Sequence, residues 1–252
     1  MAGGGAAGAS AASAAAAEVL DAAGRHASLE RTGGSGPHQL AHQQQLHRDL
    51  VRDPGRQPGD DAAREADCLF RFEDSHVAFA ELGRVDEALA AFDHAIALQP
   101  ESHLAWLAKG MLLTEEQRWH EALPVLQEAI ALHPSGTQAW YGLGVAYLQA
   151  QQGEEALAAF EQSICLQTDF DLAWYGKGLV FFQEHHYAEA LKAFDKVLAI
   201  NPQSDLSWFH KAASLEGLQR YPEAYTAYEM TQQHTTSETL HARAQQRLET
   251  LQ

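Results

Sequence analysis

Four tryptophans, Trp106, Trp140, Trp174 and Trp208, stand 34 residues apart, and their surroundings repeat with them. Four residues after each comes Gly110, Gly144, Gly178 or Ala212. Seven after come Leu113, Tyr147, Phe181 and Leu215, and sixteen after come Ala122, Ala156, Ala190 and Ala224. Twenty after come Leu126, Phe160, Phe194 and Tyr228; twenty-eight after come Pro134, Thr168, Pro202 and Thr236. An earlier unit puts Phe72 in the Trp place, followed by Phe79, Ala88, Phe92 and Pro100, with His76 where a small residue is expected. A chain written this way folds as a stack of equivalent parts.

The offsets have a physical reading. Positions 0, +4 and +7 share one helix face, and small residues at +4 and +16 let two helices cross closely. Large residues at 0, +7 and +20 fill the space around the crossing. The polar segments "GRVDEA", "QQGEEA" and "HHYAEA" mark a tight turn, and the closing Pro cannot continue a helix. Each unit therefore reads as an antiparallel helix pair that buries its apolar faces only by stacking on its neighbours.

This pattern resembles the tetratricopeptide repeat, with its 34-residue period and W, L-G, Y, A, F, A, P signature, over about residues 69–236. The resemblance implies an all-α, right-handed α-solenoid of about five antiparallel helix pairs. Its units fall near 69–102, 103–136, 137–170, 171–204 and 205–236, within a solenoid over 61–236. Lys109, Lys177 and Lys211 depart from the family's usual Leu, and Pro124 falls early in a second helix. A Lys stem can cover apolar surface while its ammonium reaches water. After the last unit, Thr235 and Glu238 read as a capping box, and Leu240, Ala244, Leu248 and Leu251 line one face of a capping helix over 237–252.

A second stripe, at offsets −2, +1, +5 and +8, also shares one helix face. In the family these positions line the concave groove where ligands bind. Here the largely apolar stripe holds Leu104, Gln138, Leu172 and Leu206; Leu107, Tyr141, Tyr175 and Phe209; Met111, Val145, Leu179 and Ala213; and Thr114, Leu148, Phe182 and Glu216, with His210 beside Phe209. A long apolar stripe with aromatic anchors suits an amphipathic helix or an extended apolar peptide of a protein partner. The bland alternative is that superhelical curvature packs these side chains against each other. On the binding reading, Tyr141→Ala with Tyr175→Ala leaves helix content intact and abolishes partner capture. The stripe carries no Lys–Arg–Asn set, which disfavours the carboxylate clamp of chaperone-binding members.

Composition narrows the function further. Residues 67–252 hold eleven Lys/Arg against twenty-six Asp/Glu. Such an acidic body is repelled by nucleic acid and by anionic membranes. No stretch approaches the length of a membrane span, and Cys68 and Cys165 form no framework, which fits a cytoplasmic protein. Cys165 is expected to be small buried packing. His38 and His42 stand four apart without a third ligand, and His185 and His186 sit in a turn, so no metal site is assigned. No P-loop, G-x-S-x-G or dinucleotide fingerprint occurs, so no catalytic residue and no cofactor is assigned.

Residues 1–60 form a low-complexity tail, Ala/Gly-rich and then Gln/His-rich, expected to be mostly disordered. Within it, 38–52 carries Leu40, Leu46, Leu50 and Val51 on a short helical pattern that could compete for the apolar groove. The chain reads as a non-catalytic adaptor or scaffold. The alternative is a regulatory or accessory subunit of an enzyme or assembly complex. Solenoid ends and grooves can also pair with their own copies, so weak self-association is compatible with the sequence.

Overall fold

A computed structural model describes residues 85–251. The tail at 1–60, the pattern at 38–52, His38, His42, Cys68, and the Phe72, His76 and Phe79 positions all lie outside the described residues.

The described residues form ten helices and no strand: α1 Val85–Leu98, α2 His103–Glu115, α3 Trp119–Leu132, α4 Thr137–Gln149, α5 Gly153–Leu166, α6 Asp171–Gln183, α7 Tyr187–Ile200, α8 Asp205–Gly217, α9 Tyr221–His234 and α10 Glu238–Thr250. The arrangement is an all-α solenoid. α2–α3, α4–α5, α6–α7 and α8–α9 are complete antiparallel pairs, and α1 is the second helix of the unit before them. None of these helices is long and apolar enough to cross a membrane.

Close approach at the glycines sets the packing. A β-carbon on Gly144 would stand 2.7 Å from the Phe160 ring, and one on Gly178 would stand 2.7 Å from Phe194. These are the crossings within a unit. A second glycine row, two residues after the Trp, closes the crossings between units. A β-carbon on Gly176 would stand 2.5 Å from Phe160, and one on Gly142 would meet Met111 and Leu126. The ring of Phe160 is thus held between the glycines of its own unit and of the next. The alanines at offset +16, Ala122, Ala156, Ala190 and Ala224, are all 0% exposed and give the second helices the same close contact.

Polar ties repeat at the same period. Each indole Nε1–H donates to the carbonyl six residues back: Trp106 to Pro100, Trp140 to Pro134, Trp174 to Thr168 and Trp208 to Pro202, at 2.9–3.0 Å. Every first helix is thereby fastened to the end of the preceding unit. The lysines that depart from the family pattern reach that same neighbour. Lys109 pairs with Asp93, Lys177 with Glu161 and Lys211 with Asp195, at 2.5–2.7 Å. Where the third unit, 137–170, has Leu143 instead of Lys, the position sixteen residues earlier holds Gln127, so both partners change together. Pairs with one half-exposed member each contribute only about 0–1 kcal/mol, so they select register more than they add stability.

Each turn within a pair ends its first helix with a left-handed residue: Gln117, Gln151, His185 or Gln219, at φ 58–62°. The next N–H bonds back five residues, as in Arg118 to Leu113 and Gln152 to Tyr147, the pattern of a Schellman cap. The conformation usually calls for glycine, and in register with these four the first unit has Gly83. Pro124 is the sixth residue of α3, past the first turn; it is exposed, and the helix runs through it.

Two expectations are corrected. α10 is capped by Ser237, whose hydroxyl accepts from the Leu240 N–H at 3.4 Å, and not by Thr235. Thr235 is the C-cap of α9, three residues before the first residue of α10, and its hydroxyl accepts from the Ser237 N–H at 3.1 Å. Cys165 is exposed, as are Ala131 and Ala199 at the same place in neighbouring units, because that register turns outward on every second helix. The apolar face of α10 is seated as expected: Leu240, Ala244 and Leu248 are buried and Leu251 is half-buried.

Because Phe160 is 0% exposed and held from two units, Phe160→Ala should cost about 3–5 kcal/mol. Urea unfolding followed by circular dichroism measures this, with the loss centred on α4–α6 in hydrogen exchange.

Candidate functional site

The stripe read as a groove lies on the first helices α2, α4, α6 and α8. Its members do not share one fate. Tyr141 and Tyr175 are each 2% exposed and Phe209 is 7% exposed, and Val145, Leu179, Leu206 and His210 are also buried. Leu104, Leu107, Met111, Leu172 and Phe182 are half-buried, and Gln138 is exposed. The expectation of an open aromatic row is therefore corrected: Tyr141, Tyr175 and Phe209 are walled into the solenoid.

For Tyr141 and Tyr175 the reason lies in the second glycine row. Where glycine brings a first helix close to the preceding unit, the residue beside it is drawn under the following unit. The Tyr141 ring meets Phe170 edge-on at 5.4 Å and lies 6.2 Å from Phe160. Tyr175 sits 5.8 Å from both Phe194 and His210. Phe209 packs on Tyr228 at 5.5 Å, and the Arg243 guanidinium of α10 lies over its ring at 4.5 Å. The capping helix thus closes the far end of the stripe.

In the fourth complete unit His210 replaces the glycine of the second row. Its imidazole stacks on Phe194 at 5.6 Å and meets Phe182, Phe209 and Tyr175 edge-on. The ring stands against Phe194, as Gly176 stands against Phe160 one unit earlier. Nothing in the spacing distinguishes this position from an open groove site. Its signal was the substitution of a large residue where the register has Ala108, Gly142 and Gly176.

Polar groups on and beside the stripe edge this face. Gln149 Nε2 donates to the Thr114 carbonyl at 2.9 Å, tying α4 to α2. Glu216 accepts from the Tyr228 hydroxyl and from Arg247 Nε, both at 3.1 Å. Glu115, the last residue of α2, is half-buried; burial first and neighbouring Glu116 second push its carboxyl up to about 7. Burial also raises the Tyr141 hydroxyl, with Glu115 and Asp171 adding to it. Among the described residues no group of three His, Cys, Asp or Glu is placed to hold a metal ion.

Profiles described as tetratricopeptide repeat match residues 77–125, 107–169 and 172–204. The chain belongs to the tetratricopeptide repeat family. The solved structures it resembles include MamA, at 21% identity over 66% of this chain and 91% of that one, with a TM-score of 0.57. They include YrrB, described as a tetratricopeptide repeat protein with an unusual peptide-binding site, at 18% identity over 68% and 88%, TM-score 0.55. PilF of Pseudomonas aeruginosa is similar at 18% identity over 75% and 86%, TM-score 0.64. At these identities the likeness concerns the fold. No curated protein matches the chain. The family's repeats serve in general as non-catalytic protein-interaction modules, and this chain is a protein-interaction module built from them.

Two outcomes follow from this site. Tyr141→Ala should cost about 3–5 kcal/mol in urea unfolding rather than leave the fold intact, because the ring is core. The second concerns pH. Folding raises the Glu115 carboxyl from 4.5 to about 7, so the folded chain keeps a proton that the unfolded chain releases. The stability from this group is complete below pH about 4.5 and drains away as the pH climbs to about 7, by on the order of 2–3 kcal/mol. Glu115→Gln should flatten that slope and leave the variant more stable than wild type at pH 8, in urea titrations across pH 4–8.

Proposed function

We propose that the chain is a non-catalytic adaptor or scaffold that holds an apolar or amphipathic segment of a partner protein against its first-helix face. The observation that carries this reading is a ledge at offset −2. Leu104 and Leu172 are half-buried and Gln138 is exposed, on the consecutive first helices α2, α6 and α4. Leu107, Met111 and Phe182 add half-buried apolar area on the same stripe. With the deeper aromatics occupied in packing, such a ledge suits an extended segment or one face of a helix, not a deeply inserted anchor. Capture of a terminal carboxylate is disfavoured. Lys109, Lys177 and Lys211 are paired with carboxylates of the preceding units, and Arg247 is engaged by Glu216.

Replacing Leu104→Glu and Leu172→Glu together should lower capture of partner proteins by about tenfold or more, because each charge would have to be buried on docking. Affinity capture beside wild type, read by quantitative mass spectrometry, measures this. Thermal unfolding within a few degrees of wild type shows that the solenoid persists. Unchanged capture by a folded double variant would sink the reading.

A further inference from the structure

The largest exposed apolar side chains of the described residues do not lie on the first-helix face. Besides Tyr221 at the start of α9, they are Leu98, Leu132, Leu166 and Ile200, at 48%, 39%, 43% and 38% exposed. Each is the last residue of a second helix, α1, α3, α5 or α7, and they recur at the 34-residue step. Equivalent helices point the same way, so the four residues form a row of rungs along one edge of the solenoid. The next second helix ends the row with His234.

The electrostatics of that edge lean negative. The C-terminal end of a helix carries a partial negative charge, and none of these four helices has a basic residue in its last turn. Exposed Glu101, Glu128 and Asp169 lie within four residues of the rungs, with Lys196 on the other side of the balance. The body behind them is acidic as well. A ligand for this edge needs apolar side chains at intervals and positive charge between them.

We propose that this edge is a second docking surface, separate from the first-helix ledge, for a basic amphipathic segment of a partner protein. The aliphatic rungs receive the segment's apolar side chains, and the helix ends with their carboxylates receive its Lys or Arg. At 8–10 Å per packed helix, neighbouring rungs lie roughly 16–20 Å apart. A helical segment must therefore be longer than about 11–13 residues to reach two of them.

The test uses the full chain and two synthetic peptides of about 18 residues. Both carry Leu at helical three-four spacing; one has Lys at the remaining positions and the other Glu. The basic peptide should bind, at least about tenfold tighter than the acidic one, and weaken as salt is raised. Leu132→Ser with Leu166→Ser changes no charge and should weaken the basic peptide by about tenfold. Leu104→Glu with Leu172→Glu should leave it within about twofold or tighten it slightly, since added negative charge only attracts it. Circular dichroism confirms that the rung variant is folded, as exposed positions predict. Basic-peptide binding that ignores the rung substitutions reflects bulk charge alone and overturns the proposal. So does equal binding of both peptides. Sedimentation is the last arm: a full-chain dimer that Leu132→Ser with Leu166→Ser dissociates would assign the rungs to a second copy and overturn it too.

Discussion

An aromatic ring closed between two glycines is the contact on which this solenoid depends. Phe160 lies against Gly144 within its unit and Gly176 of the next, at distances that leave no room for a β-carbon on either. One side chain therefore fixes both the crossing inside a helix pair and the stacking between pairs. Interiors are close-packed, so the geometry of one joint is passed to the next. Leu126, between Gly110 and Gly142, does the same work one unit earlier. At Phe194 the second glycine is replaced, and His210 stacks on the ring in its stead.

That contact also decides how much of the first-helix face a partner can reach. Helices brought together over a glycine leave their neighbouring aromatics little space outside. Tyr141 and Tyr175 slide under the following unit, and Phe209 slides under the capping helix with Arg243 above it. Close stacking and an open groove draw on the same residues, and in this chain stacking takes most of them. What remains accessible is a ledge at the rim, with polar ties such as Gln149 to Thr114 beside it.

The polar repeats serve the joints too. The indole of each Trp holds the carbonyl at the end of the previous unit, and three lysines reach back to carboxylates there. An indole contributes one donor on a large apolar body, which lets it fill the crossing and fasten the loop at once. Leu143 and Gln127 stand where the other joints have an ion pair, and Gln127 Nε2 donates instead to the Tyr147 hydroxyl at 3.2 Å.

The sequence by itself determined the period, the paired helices, the small residues at offsets +4 and +16 and the apolar seat of α10. Each follows from side-chain size and helical spacing, which are local properties. The tertiary structure alone decided which apolar stripe is surface. Offsets −2 and +1 are both apolar and equally helical in the sequence, yet Leu104 stays half-exposed while Tyr141 is sealed. The difference arises from contacts at the junctions between units: Phe170, which caps α6 where one unit meets the next, lies over Tyr141, and His210 of the following unit lies over Tyr175. Cys165 and the capping Ser237 were illegible for a related reason. Whether a residue points outward, or which hydroxyl opens a helix, depends on where the preceding backbone has already turned.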